Sequence, residues 1–408
     1  MSSPTSSATV ANPSSFSYRP ILIGTLFVLL AMGTRATFGL FMQPMGLHHG
    51  WARDVFSMAF ALQNITWGFG AIAAGMMADR FGSGRTVALA ALLYAVGLLG
   101  TRFATTELEL YLTAGVLVGL GQAGTTFAVI LPVIARTVPV SYRSTAMGIA
   151  SAGGSLGQFL VVPTGQVLID TLDWTGAYWV LSLLLAASIP LAWYLRGKPD
   201  GSGIQLSLRQ AIHQALTHPS FHFLFWSYFV CGFHTAFITL HLPAFVVDEG
   251  LSASTGAIAI ALIGLFNVFG SYWSGRLGGT FSKKNLLGAV YGLRTFGMLW
   301  LMLMPISPMV VYVFAAWMGL FWLGTVPLTQ GLIAQIYGLR YAATLSGIVF
   351  LGHQVGSFVG VWLGGKVQAI TGSYDIVWWI GIALALIAAA LCLPIKEKPL
   401  AAPAAQPA

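Results

Sequence analysis

Apolar residues in this chain come in long blocks, each about the 20 residues that carry a helix across a bilayer. Polar residues are confined to the short gaps between them. Twelve such blocks are legible: 20–46, 55–77, 86–103, 108–135, 144–170, 176–195, 221–247, 254–276, 285–305, 309–336, 342–370 and 374–394. The pattern predicts twelve membrane-spanning helices, because backbone groups in hydrocarbon must be satisfied within the segment itself. One gap is longer, 196–220, and within it Ser207-Leu208-Arg209-Gln210-Ala211-Ile212 has the mixed faces of a short helix lying on the membrane surface. Pro219 stands just before the seventh block.

The blocks repeat. A displacement of 199 residues carries Gly148, Ile149, Gly153, Gly157, Phe159 and Gly165 of block five onto Gly347, Ile348, Gly352, Gly356, Phe358 and Gly364 of block eleven. It also carries Gly33, Phe38 and Pro44 of block one onto Gly232, Phe237 and Pro243 of block seven. A displacement of 200 puts Gly70, Gly75, Phe81 and Gly97 on Gly270, Gly275, Phe281 and Gly297. A duplication of six helices is the parallel repeat of transporters, whose substrate site lies near the midplane between the halves. Gly352, Gly356, Gly360 and Gly364, one every four residues, make a small-residue stripe suited to close helix packing.

Composition agrees. The chain is 57% hydrophobic and 7% charged, against about 25% charged in a soluble domain. The net charge of +8 is therefore read through its distribution, as membrane orientation and not as nucleic-acid binding. With the N-terminus cytosolic, 14 of the 19 Lys and Arg fall on cytosolic segments and only Arg53 and Arg102 on outer loops. That predicts a bacterial inner-membrane protein with both termini inside. Residues 1–17 are Ser-rich and polar and read as a disordered tail, not a signal peptide. Cys231 and Cys392 lie in apolar blocks and offer neither a metal spacing nor a disulfide pattern.

Between blocks two and three stands Gly75-Met76-Met77-Ala78-Asp79-Arg80-Phe81-Gly82-Ser83-Gly84-Arg85. It resembles the G-x-x-x-D-R-x-G-x-x-R loop of the major facilitator superfamily. The block count and repeat extend the resemblance over nearly the whole chain. The implied fold is all-α: twelve transmembrane helices in two pseudo-symmetric six-helix bundles. Asp79 can meet cations or a helix N-terminus of the other bundle, while Arg80 and Arg85 reach anionic headgroups. Gly75, Asp79, Arg80, Gly82 and Arg85 are thereby candidate gating residues. The second-half copy, Gly275-Arg276-Leu277-Gly278-Gly279-Thr280, lacks the acid. Within the superfamily, Gly50-Trp51-Ala52-Arg53, Cys231-Gly232-Phe233-His234 with His241-Leu242-Pro243, and Gly264 to Ser271 resemble the bacterial monocarboxylate-transporter-like and oxalate/formate antiporter branch. Characterised members of that branch carry a substrate-binding arginine in span eight where this chain has Ser271, and their acidic signature in span one is missing here.

Ionisable groups inside a span are costly, so each is a functional candidate. All eleven acids lie at or near block ends, whereas Arg35 lies midway along span one and Arg294 near the middle of span nine. A guanidinium without a carboxylate needs another partner, and an anionic substrate fits its planar fork. The repeat sets His234 opposite Arg35, so the two are expected to face one another across the pseudo-twofold axis. His241 and His353 are candidates to join them, as are the polar residues Gln63, Asn64, Gln122, Asn267, Ser271 and Gln354. Each has a bland alternative in helix packing or helix-to-helix hydrogen bonding. Arg294 is expected to support structure or gate, and Lys366 to snorkel.

The expected organisation is a tail (1–17), a first six-helix bundle (18–196), a linker (197–220), a second bundle (221–394) and a tail (395–408). No phosphate-binding G-x-x-x-x-G-K-[ST] loop is present. Nothing points to an enzyme, a cofactor, a metal or nucleic acid. The leading expectation is secondary transport of a small organic anion, a monocarboxylate, by a monomer in lipid. If protons move too, His234 is the candidate carrier. The competing expectation is efflux of a drug or hydrophobic metabolite, although span four lacks the arginine, and span five the G-P-x-x-G-G step, of proton-coupled exporters in the superfamily.

Overall fold

The computed structural model describes residues 17–51, 53–197 and 206–400, apart from the side chains of Gln43, Arg53, Asp54, Ser57, Ala253 and Ala369. Residues 1–16, Lys198 and Asp200 of the expected linker, and 401–408 lie outside them. Among the described residues ten helical stretches are long and apolar enough to cross a membrane. One of these, Val140–Leu195, holds two spans, because Asp173 (φ 63°) reverses the chain. Arg53–Phe81, 29 residues long, completes the twelve.

Several spans are not the continuous helices that the hydropathy predicts. Span one is Arg19–Ala36 and Phe38–His49, meeting at Thr37. Span four runs from Glu107 through the π-helical turn Tyr111–Leu117 to Thr125, then restarts as Phe127–Thr137 after an extended Thr126. Span ten is Pro308–Leu320 and Thr325–Tyr337. The breaks in spans four and ten fall at positions related by the repeat, beside Gly121 and Gly124 in one and Gly319 and Gly324 in the other. Glycine removes side-chain cover from the backbone and weakens a helix interior. Only backbone walled in by protein tolerates such breaks at membrane depth.

The remaining spans are Ser83–Phe103 (three), Arg143 to Leu195 (five and six), Pro219–Asp248 (seven), Ala253–Leu277 (eight), Lys283–Leu303 (nine), Ala342–Thr371 (eleven) and Asp375–Cys392 (twelve). A helix at Leu208–Thr217 lies between the halves, started by a capping box of Ser207 and Gln210 and burying Ala211 and Ala215. Residues 395–400, expected as free tail, instead run back over the second half: Ile395 is fully buried and Leu400 N–H donates to Ile336 O at 2.9 Å.

Packing follows the repeat. In span eleven, a Cβ on Gly352, Gly356 or Gly360 would meet the carbonyl oxygens of Phe225, Phe229 or Phe233 in span seven. In span five, one on Gly153 or Gly157 would meet Thr25 or Leu29 of span one. The glycine stripe is thus the packing face within a bundle. Between bundles, span two lies along span eleven and span five along span eight. One buried apolar cluster joins the end of the first half that carries Asp79, the basic end, to the second half, where it runs the whole depth of the bundle from Ile336 to Tyr374, while a second stays inside the first half toward the opposite end around Phe41, Phe56 and Tyr178.

Candidate functional site

The two seams between the bundles close from the basic end upward. Where span two meets span eleven, a Cβ on Gly75 would collide with the Ala343 carbonyl and one on Gly347 with Ala71. Where span five meets span eight, Gly148 and Gly275 touch backbone to backbone. Glycine is what lets main chains of opposing bundles come this near.

Asp79 fastens the first seam. Its side chain is 1% exposed and pairs with Arg136 from the end of span four. It also accepts from Thr344 N–H at 2.9 Å and Thr344 Oγ1–H at 2.8 Å. Thr344 lies in the first turn of span eleven, whose free N–H groups carry the positive end of the helix dipole. A carboxylate from one bundle therefore caps a helix of the other. Arg136 also crosses the seam, donating through Nε to Leu339 O at 3.0 Å. Of the other motif residues, Gly82 adopts φ 103°, open to glycine and strained for other residues, and Arg85 is exposed. The Arg80 guanidinium stacks over Phe81 at 5.2 Å. Arg136 carries this joint as much as the motif does, yet in sequence it registers only as one more positive charge at a span end.

Each seam ends upward in an amide. Gln354 of span eleven donates through Nε2 to Asn64 O at 3.2 Å and to Asn64 Oδ1 at 3.4 Å. In the other seam, Asn267 Nδ2 donates to Ser155 Oγ, while Asn267 Oδ1 accepts from Ser271 Oγ and from Leu323 N–H, each at 3.0 Å. Ser155 and Gln354 are related by the 199-residue repeat, so each bundle contributes an equivalent position. That relation could have singled out Ser155, which sequence reasoning passed over. Asn267 and Ser271, expected as substrate contacts, are buried in this seam and spend their hydrogen bonds there. Beyond it a Cβ on Gly264 would meet nothing within 4 Å.

Arg35 stands at the head of the first seam. Its Nη2 donates to Asn64 Oδ1 at 2.8 Å, so Asn64 is shared between this cation and Gln354 of the other bundle. The guanidinium carbon lies 4.5 Å from the centre of the Phe60 ring and 5.1 Å from that of Trp67. Nε is buried with no partner. The residue as a whole is half-buried, and among the described residues the one ion pair is Arg136 with Asp79. A small cavity beside Arg35 is lined also by Thr37, Gln63 and Tyr94. Gln63 bonds Ala114 O at 2.9 Å and Gln122 bonds the Tyr94 hydroxyl at 3.2 Å, so both stay inside the first bundle.

The expected pairing of Arg35 with His234 does not occur. His234 is 1% exposed and its Nε2 bonds Gly381 O of span twelve at 2.9 Å. The repeat does relate the two, but symmetry mates meet across an axis only when they lie on the sides of their helices facing it. Arg35 and His234 each turn into their own bundle. His234 neighbours Arg294, as Arg35 neighbours Tyr94, and Tyr94 and Arg294 are the repeat partners at a displacement of 200.

Arg294 is fully buried and caps the break in span ten, donating through Nε to Phe321 O at 2.9 Å and through Nη2 to Trp322 O. It thereby satisfies carbonyls that a helix end leaves open. His241 lies between Tyr374 (3.3 Å) and Val361 O (3.0 Å), within the second bundle. His353 is half-buried at the seam, with Nδ1 at 3.1 Å from Gln354 Oε1 and its ring stacked on Phe350. Of the expected set, the fold brings Arg35, Asn64, Gln354 and His353 into one chain of contacts. It places Gln63 in the cavity beside Arg35 with Gln122 behind it on Tyr94, and His234 and His241 inside the second bundle. Among the described residues no group of His, Cys, Asp or Glu is arranged to hold a metal.

Comparison with known proteins agrees with this architecture. The family model described as Major Facilitator Superfamily matches residues 23–361. An uncharacterized MFS-type transporter of Bacillus subtilis (strain 168), YcxA, is 24% identical over 395 residues, covering 93% of this chain and 95% of that protein. Human monocarboxylate transporter 12 is 25% identical over 327 residues, 71% of this chain and 62% of the human protein's length. Among solved structures, the human organic anion transporter MFSD10 (TETRAN) superposes with a TM-score of 0.74 at 16% identity, covering 92% of this chain and 99% of that one, a likeness of fold.

Proposed function

The chain belongs to the major facilitator superfamily, and from that premise we propose that it moves a small organic anion, a monocarboxylate, across the bacterial inner membrane by alternating access. The observation that carries this reading is Arg35, a half-buried guanidinium that no acid among the described residues neutralises and whose main polar partner is the neutral Asn64. A carboxylate supplies the missing charge and two acceptors for the guanidinium fork. The relatives named as monocarboxylate transporters support the substrate class.

In this reading the closed basic end is the cytoplasmic one, following the distribution of Lys and Arg, and the cavity opens on the opposite side. Asp79 with Arg136 and Thr344 is the latch of that state. The two polar pairs that cross the seams, Asn64 with Gln354 and Asn267 with Ser155, form its floor. An anion held at Arg35 competes with Asn64 for the same guanidinium, so occupancy changes how the Asn64 Oδ1 that Arg35 and Gln354 share is engaged and thereby couples the anion to the seam. A ligand shifts such an equilibrium only through differential contacts of this kind.

Reconstituted protein tests the proposal, with uptake of labelled lactate, pyruvate or oxalate measured for wild type, Arg35→Ala and Arg35→Lys. Loss of a charge-assisted bond worth about 1.5–3 kcal/mol predicts roughly 10- to 150-fold weaker transport for Arg35→Ala. Arg35→Lys, with a point charge instead of a fork, is expected to be poor also. Normal uptake by a stably expressed Arg35→Ala protein overturns the anion reading. Extrusion of hydrophobic toxicants without any anion uptake moves the protein to the efflux reading.

A further inference from the structure

The returning C-terminal segment forms one wall of a recess at the basic end of the second bundle. The segment is tied down at four points. Lys396 N–H donates to Ser220 Oγ at 3.0 Å, at the start of span seven. Glu397 Oε1 accepts from Ser282 Oγ at 2.9 Å and from Lys284 N–H at 2.6 Å, at the start of span nine. Gln335 Nε2 donates to Glu397 O at 3.0 Å, and Leu400 N–H reaches Ile336 O at 2.9 Å, both in span ten. Lys284 Nζ in turn donates to Leu393 O at 2.8 Å.

The recess so formed has a volume of about 610 Å3 and is lined by Lys284, Lys396 and Lys398, with His218, Leu393 and Leu400 around them. The acid in its wall, Glu397, is turned onto Ser282 and the Lys284 N–H. Lys396 and Lys398 are exposed and make no ion pair among the described residues.

We propose that this recess binds the phosphodiester headgroup of an anionic phospholipid. Three lysines converge on a hollow whose acid is already engaged, which leaves the site with uncompensated positive charge. The site sits where spans seven and nine begin and span twelve ends, the level at which headgroups lie. Leu393, 63% exposed on the same wall, offers an apolar seat that a lipid chain can use and a free phosphate cannot. Bound there, the headgroup cross-links the C-terminal segment to span nine and clamps the basic end of the second bundle.

The test uses the full chain in nanodiscs of phosphatidylcholine alone or doped with phosphatidylglycerol. Retained lipid is read by native mass spectrometry and thermal unfolding is followed in parallel. The wild-type protein is expected to retain phosphatidylglycerol and to melt higher in the doped discs. Each cation at a membrane surface is worth about fivefold in binding, so Lys396→Gln with Lys398→Gln is expected to weaken retention roughly 25-fold. Lys366→Gln, exposed at the opposite end of span eleven, removes a charge outside the recess and is expected to leave retention unchanged. The proposal is overturned if wild type shows no preference for phosphatidylglycerol. It is overturned too if Lys366→Gln weakens retention as much as the double variant, which is diffuse attraction. Displacement of the lipid by millimolar inorganic phosphate also overturns it, in favour of a soluble phosphate site.

Discussion

Replacing Asp79 by Asn probes the seam most directly. The carboxylate holds Arg136 within its own bundle and Thr344 across the seam through two hydrogen bonds, at 2.9 and 2.8 Å. Of the carboxylate's own contacts, only the Thr344 bonds must break when the bundles part at this end; the Arg136 bond to Leu339 O crosses the seam as well. A hydrogen bond to a charged group contributes about 1.5–3 kcal/mol, and the lower figure applies because the freed carboxylate regains water. Two such bonds give about 3 kcal/mol, roughly a 150-fold bias toward the closed basic end. Asp79→Asn removes most of it. Thr344→Val removes one bond and is expected to shift the equilibrium about tenfold. The assay is pulsed electron paramagnetic resonance on protein labelled at Val140 and Thr280, exposed on opposite bundles at the basic end. Cys231 and Cys392 are buried and do not interfere. Wild type should give one short distance, Asp79→Asn a broad or long one, and Thr344→Val an intermediate mixture. A short, single distance in folded Asp79→Asn protein refutes the latch.

Further predictions concern packing and pH. Arg294→Gln leaves the carbonyls of Phe321 and Trp322 at the break of span ten short of donors, and is expected to destabilise by roughly 2–4 kcal/mol, read as a lower unfolding temperature in detergent. Gly232→Ala would drive a methyl group into the His353 carbonyl, and is expected to lose about 1–3 kcal/mol in the same assay. His218, just before span seven, has its pKa lowered from the usual 6.5 by burial and then by Lys396. The unfolded chain therefore binds a proton first as pH falls, so stability declines as pH drops through 6.5. His218→Gln should flatten the melting temperature between about pH 7 and 5; an unchanged slope discounts the group.

Much of the architecture was legible in the residues because it is set by local chemistry. Block length against bilayer thickness fixes the spans, and the repeat of Gly, Pro and Phe at displacements of 199 and 200 fixes the two-bundle plan. The loop acid Asp79, followed by Arg80 and Arg85, already carried the chemistry of a cap for the other bundle. The direction in which each side chain points was not legible. Arg35 and His234 are equivalent in the repeat, yet one reaches Asn64 at the seam and the other Gly381 of span twelve. Hydropathy is nearly uniform around such helices, so it carries no rotational information. The breaks in spans four and ten were hidden for the same reason, since an apolar block scores alike whether its backbone is helical or extended. Rotation, breaks and the returning segment at 395–400 are decided by which carbonyls, hydroxyls and guanidinium groups find partners once twelve helices are packed, and that pairing exists only in three dimensions.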